Sequence, residues 1–149
     1  MLAYWFYRSK AMVKSRSQAD GLIYLQASKL NPPMRISGYL HRDASTYVQY
    51  VEGPIASLRD LRRRVQADGR HYDIKTLLWG LTPQRRFSTW DMAFTNEEIA
   101  SFARFQQSRC LSTSLAEASA MEVLAFMEAT AERSSSNAAE QNIAACGSH

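Results

Sequence analysis

Apolar and polar positions alternate along several short stretches of the chain, and each such stretch predicts a β-strand. The aromatic-rich opening, residues 2–9, is the first of them. A second strand is predicted over residues 34–41, and a third over residues 46–53 after a short turn. Two more follow at residues 71–81 and 89–94. Because the second and third strands are separated by only a few turn residues, they are expected to form an antiparallel hairpin.

Two segments between these strands show helical spacing of apolar residues. Ser17 has the position of an N-terminal cap for the first helix. The residues that this helix is expected to bury are Leu22, Ile23, Leu25 and Ala27. Pro32 and Pro33 are predicted to end it and to hold Asn31 out of helical geometry. Pro54 suits the first turn of the second helix. The apolar stripe of the second helix consists of Ile55, Leu58, Leu61 and Val65.

The resulting order, β-α-β-β-α-β-β, favours an α+β fold. It predicts a ferredoxin-like sandwich, with a mostly antiparallel sheet and both helices on one face. Two more helices are expected, one capped by Asn96 and one starting near Ser114. The apolar side of the last helix consists of Leu115, Ala118, Met121, Val123, Leu124 and Met127. We expect a domain over residues 1–95, a helical extension over residues 96–133 and a flexible tail over residues 134–149.

Composition and charge narrow the class of protein. The 149 residues are 46% hydrophobic and carry a net charge of +4, and no apolar run is long enough to span a membrane. Two cysteines without metal or disulfide spacing indicate the reducing cytoplasm. Much of the positive charge lies in the second helix and just after it, at Arg59, Arg62, Arg63, Arg64 and Arg70. This cluster fits either a solvated helix face or a phosphate-binding surface.

The third strand contains an amide where both faces are apolar. In its sequence YVQYVEG, Tyr47, Gln49 and Val51 share one face while Val48 and Tyr50 share the other. An unpaired buried amide costs about 1–3 kcal/mol. Gln49 must therefore find its hydrogen bonds either within the protein or from a ligand.

Tyr7 and Asn31 are the residues that could share a pocket with Gln49. Tyr7 lies on the first strand, and Asn31 lies at the end of the first helix. Two amides and a phenol suit a planar heterocycle with alternating donors and acceptors, because an amide offers both. The alternative is a core tyrosine beside two amides that are satisfied within the protein.

Other chemistry has little support in the sequence. His41 and His71 have no companions at metal-ligand spacing, and no glycine-rich phosphate loop is present. The ferredoxin-like order also occurs in RNA-recognition modules, but this sequence lacks the aromatic-and-glycine signature that such modules carry on their third strand. A hydrolase of acylphosphatase type would need an anion-binding loop after the first strand, where "RSKAMVKSR" has no glycine. A flavin-free regulatory module that binds a protein or nucleic acid through the arginine-rich helix stays open.

Five short motifs in order resemble the BLUF domain, the flavin-binding sensor of blue light. They are YRS (residues 7–9), LNPPMRISG (30–38), VQYVEG (48–53), ADGRH (67–71) and RRFSTWDM (85–92). The resemblance extends over nearly two-thirds of the chain. It implies the ferredoxin-like fold and a non-covalently bound flavin.

The resemblance also implies roles for individual residues. Tyr7 corresponds to the photoactive tyrosine, Gln49 to the switching glutamine, and Asn31 to the asparagine that binds the flavin's polar edge. Ile23 and Val65 correspond to the aliphatic residues on either side of the ring. The remaining flavin-binding positions that it implies are Arg64, Asp68, Arg70 and His71. Trp90 and Met92 correspond to the residues that pass the signal on from the last strand.

The function implied by the resemblance is that of a light-sensing signalling module, not an enzyme. Its cofactor is expected to be FAD, with FMN or riboflavin as alternatives. Light would drive proton-coupled electron transfer from Tyr7 and switch the hydrogen bonds of Gln49. Output is expected through a downstream protein effector in trans and a homo-oligomer, with neither a membrane nor nucleic acid as a partner. The C-terminal helices are expected to cap the second face of the sheet.

Overall fold

The computed structural model describes residues 2–15, 17–87 and 93–146. Over these residues the strands are Leu2–Ala11 (β1), Ser37–Asp43 (β2), Thr46–Pro54 (β3), His71–Thr82 (β4) and Ala93–Asn96 (β5). The helices are Gln18–Leu30 (α1), Ile55–Ala67 (α2), Phe102–Ser108 (α3) and Ala120–Cys146 (α4). The element order is the one that the sequence pattern predicts.

The described strands form one sheet in the order β4-β1-β3-β2-β5. All neighbouring strands are antiparallel except β2 and β5, which run parallel. The central pair is β1 and β3, and its register sets Tyr7 directly opposite Gln49. Since alternate residues of a strand point to opposite faces, both side chains project from the same face.

Both faces of the sheet are covered, as the apolar pattern of β3 predicts. One core lies under α1 and α2 and includes Trp5, Tyr7 and Val51 of the sheet. The other core includes Phe6 and Tyr50 of the sheet. The helical extension contributes to it Phe102, Leu115, Ala118, Val123, Leu124, Phe126 and Met127. The ferredoxin-like α+β prediction is therefore confirmed, and the C-terminal helices do cap the second face.

Helix α1 differs from its prediction in the residues that it buries. Ser17 caps it as expected, with its hydroxyl accepting the backbone N–H of Asp20. Ile23 and Ala27, one turn apart, pack against the sheet. Leu22 and Leu25, which were expected to be buried, are 42% and 48% exposed. The apolar residues span too wide an arc for a single contact face, so Ile23 and Ala27 reach the core while Leu22 and Leu25 do not.

The end of α1 also departs from the prediction. Asn31 keeps helical dihedral angles despite the prolines after it (φ −69°, ψ −43°). Its N–H donates to the carbonyl of Ala27 at 2.9 Å, and its carbonyl accepts the N–H groups of Met34 and Ile36. These bonds outweigh the local preference that a following proline imposes. Because the turn extends through residue 35, β2 begins at Ser37 rather than at residue 34.

A buried ion pair fixes the start of α1 to the sheet. Arg42 of β2 donates to Asp20 of α1 at 2.8 Å, and both side chains are almost fully buried. Arg42 also donates to the hydroxyl of Tyr47 and to the carbonyls of Val13 and Ala44. Tyr47 in turn donates to the same Asp20 carboxylate. A buried ion pair is tolerated when its charged groups are also hydrogen-bonded, and these contacts provide those hydrogen bonds.

The C-terminal helices begin later than their predicted caps. Asn96 accepts the N–H groups of Glu98 and Ile99 in a turn, and Ser101 is the residue that caps α3. Helix α4 starts at Ala120, where Ser119 and Glu122 accept each other's backbone N–H as in a capping box. Met121, expected on the apolar side, is 69% exposed because it lies in the first turn, away from the buried stripe.

Helix α4 continues to Cys146, whereas the sequence predicts a flexible tail from residue 134 onward. Small residues such as the alanines of this segment favour a helix once one has begun, since propagation adds a hydrogen bond for each residue fixed. Among the described residues, no helix has the length and apolarity needed to cross a bilayer.

Candidate functional site

A cavity of about 400 Å³ lies between α1, α2 and the face of the sheet that carries Tyr7 and Gln49. This volume is within the range of sites for small ligands. Nine of its lining residues are those predicted to bind a cofactor, namely Tyr7, Ile23, Asn31, Gln49, Arg64, Val65, Asp68, Arg70 and His71. The fold thus brings all nine to one cavity from five different elements and the segments that join them.

Tyr7 and Gln49 are joined by a hydrogen bond. They face each other across β1 and β3, and the Tyr7 hydroxyl donates to Oε1 of Gln49. Their exposed fractions are only 3% and 5%. Burial, together with the charge of Asp68 and the neighbouring Tyr47, raises the pKa of the Tyr7 phenol far above its ordinary value. The phenol therefore keeps its proton in the resting protein.

Asn31 lines this cavity and carries a buried amide that has no partner among the described residues. The residue is fully buried, yet neither its Oδ1 nor its Nδ2 has a hydrogen-bond partner among the described residues. Its backbone is held in place by the bonds to Ala27, Met34 and Ile36. A buried amide in this state costs about 1–3 kcal/mol, unless a ligand supplies both an acceptor and a donor.

Charged groups lie around the segment that follows α2. Arg70 donates to the Asp68 carboxylate through Nε at 2.8 Å and Nη2 at 2.7 Å, and to Oε1 of Gln26 in α1 at 2.7 Å. Partial burial raises the pKa of Asp68, but the hydrogen bonds from Arg70 outweigh it and leave the pKa below its ordinary value. Asp68 is therefore a carboxylate at neutral pH.

His71 connects β1 to the end of α2. Its Nε2 lies 3.0 Å from the Val65 carbonyl, and its Nδ1 lies 2.8 Å from the Ser9 hydroxyl. Because a carbonyl can only accept, Nε2 carries the proton and Nδ1 accepts from Ser9. Burial lowers the pKa of His71, which favours this neutral tautomer. His71 thus positions the helix that supplies one wall of the cavity.

Aliphatic side chains from the two helices line the walls of the cavity. Ile23 of α1 and Val65 of α2 are half-buried and pack against the same core. Arg64 is exposed at the edge, with its Nη2 2.9 Å from the sulfur of Met34. An apolar slot with amides in it suits a flat ring that has a polar edge.

The arginine-rich face of α2 makes contacts within the protein. The Arg62 guanidinium lies 5.6 Å from the ring centre of Trp5 and 5.3 Å from that of Trp79. Arg63 is paired with Asp60, one turn earlier on the same helix. These contacts fit a solvated helix face, which was one of the two interpretations of the cluster.

The family of the chain is decided by its sequence. Residues 2–93 match the model of the BLUF family, described as sensors of blue-light using FAD. The chain belongs to the BLUF family. Comparison with curated protein sequences gives no match. The earlier resemblance, which rests on five short motifs, is therefore confirmed.

Solved structures with this fold include other BLUF proteins. The dark-state structure of BlrB, a BLUF protein, is 26% identical with a TM-score of 0.70, covering 89% of this chain and 96% of BlrB. Klebsiella pneumoniae BlrP1 with FMN and cyclic diGMP is 26% identical with a TM-score of 0.65, covering 87% of this chain and 35% of BlrP1. A bacterial light-regulated adenylyl cyclase, 23% identical with a TM-score of 0.66, shares the fold over 74% of this chain and 32% of the cyclase. The chain spans about a third of the latter two proteins.

Not every predicted site residue can be placed, and not every residue of the cavity was predicted. Trp90 and Met92 lie outside the described residues. The cavity also contains residues that the sequence did not single out, among them Gln26, Leu30 and Tyr47. Gln26 and Leu30 follow Ile23 at helical spacing, and Tyr47 shares the face of Gln49, so periodicity from the named residues would have found them.

Proposed function

We propose that this BLUF domain binds a flavin non-covalently between α1 and α2 and uses Tyr7 and Gln49 as its photochemical switch. The observation that carries the proposal is the hydrogen bond from Tyr7 to Gln49 in a cavity that also holds the unpartnered Asn31 amide. The residues present fit a flavin ring. Asn31 would bind its polar edge, and Ile23 and Val65 would lie against its two faces.

Tyr7 is the residue that donates an electron in this proposal. Bound flavin supplies the absorption of blue light and the electron acceptor. As Tyr7 loses its electron, the phenolic proton moves along the existing hydrogen bond toward Gln49. The electron and the proton have both returned to Tyr7 by the end of the cycle. The proton is available because the raised pKa keeps the phenol neutral.

Gln49 is the relay because an amide can accept at one end and donate at the other. When the electron has returned, Gln49 is left rotated or tautomerised, with a different set of hydrogen bonds. Exchanging one or two such bonds is worth about 1–3 kcal/mol. A difference of this size shifts a two-state element by roughly 5- to 150-fold, which is enough for a signal.

The signal leaves, in this proposal, through Trp90 and Met92 toward the helical extension. The segment just before them is held by Glu52 of β3, which accepts the N–H groups of Arg86 and Phe87 at 2.8 and 2.7 Å. Arg86 in turn forms an ion pair with Glu128 of α4. A change around Gln49, three residues from Glu52 on the same strand, thus has a physical path to α4.

The flavin proposed is FAD, which the family description names. FMN and riboflavin are the alternatives, since BlrP1 has been solved with FMN. For output we propose a protein effector in trans and a homo-oligomer.

The test is reconstitution followed by illumination. The chain is mixed with excess FAD or FMN, desalted, and assayed for about one bound flavin per chain and for a small reversible red shift in blue light. Tyr7→Phe should keep the flavin and lose the shift, because the ring remains while the proton and the donor electron are lost. Tyr72→Phe, at a half-exposed tyrosine of β4, is the matched control.

Two results would contradict the proposal. Folded protein that retains no flavin in either trial would exclude the binding site. An undiminished red shift in Tyr7→Phe would exclude Tyr7 as the donor while leaving flavin binding intact.

A further inference from the structure

A second cavity, of about 460 Å³, lies between the β2–β3 turn and residues 102–116, which run from α3 into the segment before α4. We call it the Gln106 cavity. Its lining residues are Asp43, Ala44, Ser45, Thr46, Phe102, Ala103, Gln106, Gln107, Leu111, Ser112, Thr113, Ser114, Leu115 and Ala116. None of these residues lines the cavity of Tyr7 and Gln49. It is therefore a separate site.

Gln106 lines this cavity and, like Asn31 in the first cavity, has a buried side-chain amide without a partner among the described residues. It is 1% exposed, and neither Oε1 nor Nε2 has a hydrogen-bond partner among the described residues. Its backbone carbonyl accepts the N–H groups of Arg109 and Leu111 at 3.0 and 2.8 Å, which fixes the residue at the end of α3. An amide held inside a protein without partners is costly, and a ligand that pairs with it removes that cost.

The other lining residues indicate a ligand without charge. Among the described residues of the lining, Asp43 is the one ionisable side chain, so this lining offers no cation to hold a phosphate or a carboxylate. Burial and the neighbouring Glu97 raise the pKa of Asp43, which shows that further negative charge is unfavourable here. The remaining surface combines hydroxyl groups with Phe102, Leu111 and Leu115. This mixture suits a small neutral group that has both polar and apolar atoms.

We propose that the Gln106 cavity binds a primary carboxamide. Such a group can pair with the Gln106 amide through two hydrogen bonds at once, donating to Oε1 and accepting from Nε2. A trans peptide group cannot do this, because its N–H and C=O point in opposite directions. The carboxamide can come from an asparagine or glutamine side chain of a partner protein, or from a free small amide. The proposal does not depend on flavin binding.

The experiment is a titration of the full chain followed by ¹H–¹⁵N NMR, with the side-chain NH₂ of Gln106 and the amides of Thr46 and Leu111 as probes. Acetamide should give saturable shifts in the millimolar range. N-methylacetamide and acetate, which cannot form both bonds, should bind at least about tenfold more weakly. The peptide acetyl-Ala-Gln-Ala-methylamide distinguishes the two sources. Tighter binding of the peptide than of acetamide assigns a partner protein, and weaker binding assigns a small amide.

Gln106→Met keeps the length and volume of the side chain while removing both polar atoms. It should abolish the acetamide shifts at Thr46 and Leu111 and raise Tm, since a buried amide without partners is replaced by an apolar group. Gln66→Met, at an exposed residue of α2 that lines neither cavity, should leave binding unchanged.

Three results would overturn the proposal. One is the absence of saturable shifts with acetamide in the wild-type chain. Another is equal binding of acetamide and N-methylacetamide. The third is retention of the shifts in Gln106→Met. If that variant does not fold, the wild-type titration with the three probes decides alone.

Discussion

Arg8, the residue next to Tyr7 in β1, donates a hydrogen bond of 2.8 Å to the carbonyl of Ala118, just before helix α4. A second bond, at 3.1 Å, reaches the carbonyl of Leu115. Because consecutive strand residues point to opposite faces, Tyr7 and Arg8 contact the two different cores of the molecule. The strand that holds the proposed electron donor is therefore tied directly to the helical extension.

Arg8→Met should weaken this connection without changing the flavin site. The variant leaves the carbonyls of Leu115 and Ala118 without their charged donor, so we expect a loss of about 1–3 kcal/mol in the free energy of unfolding. Amide hydrogen exchange over residues 115–133 should become faster in the dark. The flavin absorption shift should persist, and the light–dark difference in exchange over α4 should shrink.

Lys10→Met is the matched control for Arg8→Met. Lys10 lies on the same strand but is exposed, and within the described part of the chain it pairs with Asp73 and lies over the Tyr72 ring. Its loss should leave exchange in α4 unchanged. If Arg8→Met gives the full light–dark difference, the signal reaches α4 without Arg8, most directly through the Arg86–Glu128 pair.

Asn31→Leu should separate ligand binding from stability. The Asn31 amide has no partner among the described residues, so its removal should raise, or leave unchanged, the free energy of unfolding of the flavin-free chain. Flavin affinity should fall by roughly 10- to 100-fold, as expected when one or two buried hydrogen bonds are lost. Fluorescence titration and denaturant unfolding measure the two quantities. A variant that loses stability but binds flavin normally would show that Asn31 is structural.

Strand periodicity accounts for most of what the sequence predicts correctly. The alternation along β1 and β3 sets Tyr7 and Gln49 on one face and predicts a sheet covered on both sides. The same reasoning fails where an element's neighbours decide the outcome. Leu22 and Leu25 fit the apolar pattern of α1 but are exposed, whereas Ile23 and Ala27 face the sheet, because the tilt of a helix is set by tertiary packing.

Site residues that depend on distant pairing were not predictable from local patterns. The sequence gives no reason to connect Asp20 with Arg42, 22 positions apart, since the contact exists only when α1 crosses β2. The burial of the Gln106 amide is likewise not predicted by the sequence, in which Gln106 is one polar residue on a short helix. Tyr7, Asn31 and Gln49 were grouped from the sequence pattern, whereas the other residues expected to bind flavin came from the family resemblance. The roles of both sets in binding stay predictions.

Arg42→Met should be among the most destabilising single changes at this end of the sheet. It leaves the Asp20 carboxylate buried without its cation, which costs about 3–5 kcal/mol. The double variant Arg42→Met with Asp20→Leu should recover much of that loss, since no unpaired charge remains. Flavin affinity should fall in the single variant, because the pair anchors α1 over the cavity. Urea unfolding of the four members of the cycle provides the measurement.

Lys10→Met is again a suitable control for that cycle. The Lys10–Asp73 pair is exposed, and such pairs contribute less than about 1 kcal/mol. Equal losses from Arg42→Met and Lys10→Met would contradict the anchoring role.

His41 should make the stability of the protein depend on pH. It is fully buried on β2, its Nε2 has no partner among the described residues, and its ring lies 4.9 Å from that of Phe126 in α4. Its Nδ1 lies 2.6 Å from the hydroxyl of Thr95. Burial lowers the pKa of His41 from 6.5 to about 4. The folded protein therefore holds this histidine neutral in a pH range where the unfolded chain protonates it.

The direction of the effect follows from proton linkage. Between pH 6.5 and 4 the unfolded state binds more protons at His41 than the folded state, so stability falls as the pH is lowered through this window. The full difference is worth roughly 3 kcal/mol once the pH is below both values. His41→Leu should flatten this part of the stability curve, measured by urea unfolding at several pH values. The slope that remains belongs to the other titrating groups, including His71, whose pKa is also lowered by burial. An unchanged slope in His41→Leu would mean that the ring is protonated in the folded protein or reached by water, and that the α4 core opens around Phe126 more readily than its packing indicates.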